Sequence, residues 1–290
     1  VIGVFAFRAF QENNRAALAG PAAALGGLLL VLLFIHGRMP QGLYLTPFLA
    51  WSAVYGASFL LLLRRRRWKL RLFSFKKSWL LFSPFLKKSL SFSGLALAFS
   101  LLTVNLPYYA GLGQGFQAAG RLDLYFKLFL VLLAALADML QPLWPAYVQF
   151  RSRREFDRIR NSLRMSVIWS ALLALGASAL LRLIGPRLIR LATGRIVGID
   201  NHSFLLLSLW LLLCALAHAL QVFLNARNVV RPQLLAAAGC VLAMPALCRR
   251  AGEIGWRNGP IMINLAGIAL VLAIMARKTF VELAADRCSG

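Results

Sequence analysis

Three charged side chains sit inside a strongly apolar stretch. Residues 122–148 read LDLYFKLFLVLLAALADMLQPLWPAYV, with Asp123 and Lys127 near the start and Asp138 near the middle. A charge inside a lipid-spanning segment is unfavourable and is usually kept for function or pairing. Asp123 and Lys127 are four residues apart, so on a helix they can pair with each other. The other reading is that Lys127 faces a water-filled cavity and helps to hold an anionic headgroup. Asp138 lies 11 residues beyond Lys127, about three turns deeper on about the same face. No second basic residue lies near it on this helix, so its partner comes from another helix, from water or from a proton. Asp138 either binds a coupling cation or proton, or caps an interhelical hydrogen-bond network.

Pro142 and Pro145 follow directly. Each removes a backbone donor and bends a helix. In lipid the carbonyls so freed persist only where protein or cavity water satisfies them, and Gln141 and Tyr147 are at hand for that. Asn105 with Pro107, and Gly239 with Pro245, repeat the pattern. Several broken helices in one bundle fit a moving transporter, although static membrane proteins have them too.

Other chemistry is thin. The chain has three histidines and nine acids, with no Ser/His/Asp set, metal-ligand cluster or phosphate-cradling glycine loop. No enzyme, metal or cofactor is expected. GLGQG at 111–115 follows an apolar helix rather than a strand and reads as a flexible turn. Arg182, Arg187, Arg190 and Arg195 either bind a phosphate or sugar acid or snorkel to headgroups. His218 and Gln221 read as glue between helices. The four cysteines have no zinc-type spacing and read as small apolar side chains.

The elements that position these residues are set by composition. The 290 residues are 60% hydrophobic and 14% charged, against about 25% charged in soluble domains. That places the chain in the membrane class. The net charge of +24 does not point to nucleic acid, because the basic residues are separated by apolar spans. With about 20 residues per crossing, the sequence predicts an all-α, polytopic membrane helix bundle of eight spans: 16–36, 43–63, 93–110, 122–148, 163–184, 203–224, 232–248 and 260–276. Alternate connections carry 23 of the 33 Lys and Arg, among them RRRRWKLR and the turn holding Arg151, Arg153, Arg154, Arg158 and Arg160. By the positive-inside tendency both chain ends are cytoplasmic. Residues 76–90, KKSWLLFSPFLKKSL, predict an amphipathic helix lying in the inner headgroup region among membrane lipids. The Met-less opening VIGVFAFRAF suggests a start within a longer protein.

LQPLWPAYVQ at 140–149, followed by a basic turn and RIRNSLRMSV, resembles the multidrug/oligosaccharidyl-lipid/polysaccharide (MOP) exporter superfamily, in its polysaccharide and O-antigen flippase branch. FLNARNVVRPQ at 223–233 and FQENN at 10–14 resemble further elements in the same order. PLWPAY is the most specific piece. The resemblance implies two six-helix lobes joined by a cytoplasmic linker. Residues 1–63 would end the N-terminal lobe, 64–92 form the linker, 93–276 the C-terminal lobe and 277–290 a cytoplasmic tail. About four earlier helices would precede Val1. It implies alternating access that carries polyprenyl-diphosphate-linked (undecaprenyl) oligosaccharide across a bacterial inner membrane, coupled in some members to a proton or sodium gradient. Arg121, Lys127 and Asn105 are then the candidate substrate contacts. Asp138, Asp123 and Gln141 are the candidates for coupling or gating, and Pro142 and Pro145 for the hinge. Two rival expectations remain: a drug/cation antiporter of the same fold, and a non-transporting scaffold that recruits other glycan-assembly membrane proteins.

Overall fold

A computed structural model describes residues 75–193, 198–256 and 258–288. The expected spans 16–36 and 43–63, the RRRRWKLR segment and the FQENN stretch lie outside the described residues. The chain divides into two compact units, Val1–Trp79 and Leu80–Gly290, and all packing named here lies within the second. Among the described residues every element is an α-helix: α1 (Phe75–Val104), α2 (Leu106–Gln114), α3 (Phe116–Leu140), α4 (Leu143–Ser152), α5 (Phe156–Thr193), α6 (Asn201–Ala226), α7 (Arg231–Glu253) and α8 (Gly259–Cys288).

Four of these are long and apolar enough to cross a membrane: α5 over Phe156–Leu191, α6, α7, and α8 over Gly259–Asp286. A fifth crossing is formed if Lys88–Val104 and Leu106–Gly113 count as one span bent by 50°. This architecture is consistent with a multi-pass membrane protein. The stretch expected as one span at 122–148 is divided between α3 and α4. Arg121, Asp123, Lys127 and Asp138 all fall within the 25 residues of α3, so its apolar run is interrupted by charge along its length.

α6 is the central helix. Leu207, Trp210, Leu211 and Cys214 form one completely buried stripe, and Ala219 and Phe223 are buried on the opposite side, so the helix is enclosed on more than one face. It packs against α3, α4, α5 and α8. Aromatic contacts fix three neighbours to it. Phe126 of α3 meets Trp210 edge-on at 4.9 Å between ring centroids, and Phe129 meets Phe204 at 5.5 Å. Tyr147 of α4 stands perpendicular to Phe223 at 5.6 Å, and Phe99 of α1 lies 5.2 Å from the His218 ring. Such pairs each contribute about 0.5–1.5 kcal/mol beyond area burial. The start of α6 is capped by Asp200, whose carboxylate accepts from the Ser203 amide at 2.9 Å and hydroxyl at 2.8 Å.

Close packing elsewhere depends on small residues. A Cβ added to Gly252 of α7 would lie 2.3 Å from the Gly113 carbonyl oxygen of α2, so the two backbones touch. This corrects the sequence expectation for GLGQG. Residues 111–114 are helical, with Gly113 serving the α2–α7 contact, and only Gly115, with φ +82°, makes the turn into α3. The amphipathic segment 76–90 likewise runs without a break into α1. The stretch expected as a tail, 277–288, continues α8 as helix.

The end of α8 is held by a buried ion cluster. The Arg227 side chain, 4% exposed at the α6–α7 turn, bonds Asp286 with both terminal nitrogens and reaches Glu282 at 3.4 Å. Its guanidinium also lies 5.3 Å from the centroid of the Phe223 ring. Removing one partner of such a pair leaves the other charge buried and alone, at a cost of about 3–5 kcal/mol. Arg227→Met is therefore expected to lower the melting temperature in detergent by many degrees. An unchanged melting temperature would show that the cluster carries no net stabilisation.

Candidate functional site

α3 and the break that follows it hold most of the residues singled out by their chemistry. The buried face of α3 comprises Leu122, Tyr125, Phe126, Phe129, Leu133, Leu136 and Leu140, the i, i+3, i+4, i+7 pattern of one helical stripe. This face is turned toward α5 and α6. The 3.6-residue period puts Lys127, Val131, Ala134 and Asp138 on the far side, and all four are exposed. The charged residues thus form a strip that the second unit does not cover.

Asp123 and Lys127 pair with each other along that strip. Lys127 Nζ is 2.6 Å from Asp123 Oδ2, with side chains 66% and 34% exposed. Of the two arrangements open from the sequence, the local pair is the one found. Arg121 is exposed two residues before Asp123 and has no ion-pair partner among the described residues. Asp138 differs from Asp123. Its carboxylate is exposed and has no hydrogen-bond or ion-pair partner among the described residues, and no basic side chain of another helix is brought to it.

The break after Asp138 has a specific cause. In a continuous helix the Asp138 carbonyl would accept from the amide of residue 142, and the Gln141 carbonyl from that of residue 145. Both positions are proline and have no N–H. Each carbonyl instead accepts from a donor one residue nearer. The Gln141 amide donates to the Asp138 carbonyl at 3.3 Å, and the Trp144 amide to the Gln141 carbonyl at 3.2 Å. The bonding has switched from i+4 to i+3, the tighter and less favourable 3₁₀ pattern. Gln141 and Pro142 keep helical dihedrals, φ −55° and −63°. The chain therefore continues in the helical sense through a weakened joint.

Asn105 marks the second break, the 50° bend between α1 and α2. It is half-buried and makes no side-chain cap, and its carbonyl accepts from the Tyr109 amide at 3.1 Å. In the last turn of α1, where the helix's own donors run out, the Leu102 carbonyl accepts from Asn264 Nδ2 of α8 at 2.7 Å. Asn264 is completely buried. The sequence reading passed over it, although an asparagine inside the apolar run IMINLAGIAL was the available signal. The structure does not bring Asn105 together with Arg121 or Lys127 through any direct bond.

Of the outer arginines, Arg182 is tied to Asn201 and lies 5.1 Å from the centroid of the Phe204 ring. Arg187 and Arg190 are exposed, and Arg195 lies outside the described residues. No group of three or more His, Cys, Asp and Glu side chains that could hold a metal occurs among the described residues. No family model matches this chain, and no curated protein or solved structure matches it either.

Replacing both prolines should restore the missing donors. In the Pro142→Ala/Pro145→Ala chain, amide exchange across residues 141–147 is expected to slow relative to the parent as i+4 bonds re-form. Stability should rise by about 1 kcal/mol per bond regained. Faster exchange in the double variant would mean that the joint is set by packing around α4 rather than by the prolines.

Proposed function

We propose that this chain belongs to an alternating-access transporter. It moves polyprenyl-diphosphate-linked oligosaccharide across a bacterial inner membrane for polysaccharide or O-antigen assembly. The observation that carries the reading is the Asp138 carboxylate, exposed and without a partner among the described residues near the end of the apolar helix α3 and one turn from a proline joint. Intramembrane charges that lack a structural partner mark substrate or ion pathways. Broken helices at the centre of a bundle are the elements such transporters move. The resemblance of PLWPAY and its flanks to polysaccharide flippases supplies the substrate class.

On this reading α3 and α4 together make one crossing, α1 and α2 another, and residues 16–36 and 43–63 two more, for eight in all. Both chain ends are cytoplasmic. Residues 93–276 form the C-terminal lobe, and the proline joint is its hinge. Arg121 and Lys127 attract the diphosphate, and Asp123 holds Lys127 in place between transport events. Asp138 takes up and releases the coupling proton or cation as the joint flexes.

A drug/cation antiporter is the second reading. It is favoured by the same unpartnered carboxylate, which could equally receive a cationic substrate. The two separate in cells carrying the full gene with Asp138→Ala. The flippase reading expects lipid-linked glycan to build up several-fold on the cytoplasmic leaflet while surface glycan falls, with partial recovery in Asp138→Glu. Normal surface glycan together with lost resistance to cationic drugs would favour the antiporter. Normal behaviour in both assays would remove Asp138 from the mechanism.

A further inference from the structure

A groove of 310 Å³ lies on the other flank of α3, away from Asp138. The end of α3, the first residue of α4 and the first half of α5 enclose it. Leu136, Leu140 and Leu143 line one wall, and Met165, Trp169 and Leu173 the other. Ser162, Ser166 and Ser170 complete the α5 side. They do not make it a polar site. The Ser166 hydroxyl donates to the Leu163 carbonyl at 2.8 Å, within its own helix, and Ser170 is 3% exposed. The rim is apolar and open. Met139, Met165 and Trp169 are 64%, 48% and 55% exposed.

The dimensions suit one leaflet of a bilayer. From Ser162 to Leu173 the groove wall rises about 16 Å at 1.5 Å per residue, close to half of a hydrocarbon core about 30 Å thick. α5 has 38 residues and is about 57 Å long, so its first turns extend beyond that core. Arg158 lies on these turns. It is four residues before Ser162, so it continues the same helical strip about 6 Å nearer the α4–α5 turn. Residues 151–164 hold six arginines against two carboxylates, Glu155 and Asp157. Arg158 donates one bond to Glu155 at 2.9 Å, and the rest of its planar fork of donors is left for an anion. Arg151, on the last turn of α4, has no ion-pair partner among the described residues.

We infer that the groove is a binding site for an anionic phospholipid of the leaflet at the α4–α5 turn. One acyl chain lies between α3 and α5, and the phosphate is held by Arg158 with Arg151 nearby. A groove one leaflet deep fits an acyl chain, whereas a chain long enough to cross the whole bilayer would run past its end. The volume is at the low end of the roughly 300–1,000 Å³ of ligand sites. It is far below the volume of a packed helix about 10 Å across. The site lies on the opposite side of α3 from the charged strip and does not depend on the transport reading.

The test uses the full chain in phosphatidylcholine vesicles containing either brominated phosphatidylglycerol or brominated phosphatidylcholine at equal mole fraction. Bromine quenches tryptophan on contact, and subtraction of the Trp169→Phe signal isolates Trp169. Quenching of Trp169 by the glycerol lipid is expected to be several-fold stronger than by the choline lipid. Arg158→Gln should bring the two together, and Glu155→Gln, which releases Arg158, should widen the difference. The second variant removes a surface carboxylate, so the two shifts in opposite directions cannot both come from loss of fold. Native mass spectrometry should find a phosphatidylglycerol adduct retained by the parent and lost from Arg158→Gln. Equal quenching by both lipids would reduce the groove to ordinary lipid contact and overturn the assignment. Absence of quenching would show that a protein segment or a second copy covers it, and an unchanged preference in both variants would remove Arg158. Either result overturns the site as stated.

Discussion

Apolar helices in lipid gain little by hiding from water, so their association rests on close fit. α6 is where that constraint bears hardest. It is the helix most enclosed by others, and its neighbours are located by particular rings: Phe126 on Trp210, Phe129 on Phe204, Tyr147 on Phe223. The two phenylalanines also fix the rotation of α3. Once they face α6, the helical period leaves Lys127 and Asp138 no position but the opposite side. The charged strip is thus a consequence of packing in the core rather than of any contact made by the charges themselves.

The second constraint is that backbone polar groups buried in an apolar bundle must find partners within it. The two breaks meet it differently. At the bend after Val104, a side chain from another helix supplies the donor, Asn264 to the Leu102 carbonyl. After Leu140 no side chain is needed, because the Gln141 and Trp144 amides shift register to reach the two carbonyls deprived by proline. The first solution ties α1 to α8 through a side chain. The second replaces two i+4 bonds with longer i+3 bonds in a tighter turn.

These two solutions differ in how far they could be read in advance. The prolines act on residues three and four away, so the break in the helix at 141–142 is legible from the sequence. Asn264 acts on Leu102, 162 residues earlier, and no local pattern names that target. The same limit explains GLGQG. Glycines beside an apolar run suggest a turn, but Gly113 is there because Gly252 touches it, and the partner is invisible from residues 111–115. The apolar runs that became α5 to α8 were long enough to be recognised without knowing their neighbours. Arg227 stands in NARNVVR, one of the basic connections between apolar runs, and its sequence position alone marks it as a flanking residue. Its burial follows from Glu282 and Asp286, spaced one turn apart in a segment read as a tail. In a chain with nine acids, two of them at helical spacing was the signal passed over.

Arg227 and Asp138 show the two treatments this bundle gives a charge. Arg227 is enclosed, and two carboxylates and an aromatic face compensate it. Asp138 has none of this, although the chain holds 33 Lys and Arg for nine acids. A shortage of cations therefore does not explain its isolation; its placement does. It lies on the uncovered side of α3, and the closest cation on its own strip, Lys127, is already bonded to Asp123 at 2.6 Å. Asp138 is also the residue whose carbonyl loses its normal donor to Pro142 and takes the Gln141 amide instead. Side chain and carbonyl of one residue thus carry the free charge and the first weakened bond of the joint. Under the proposed transport mechanism, neutralising the carboxylate changes the field at the bond beside it and so couples charge to movement of the joint.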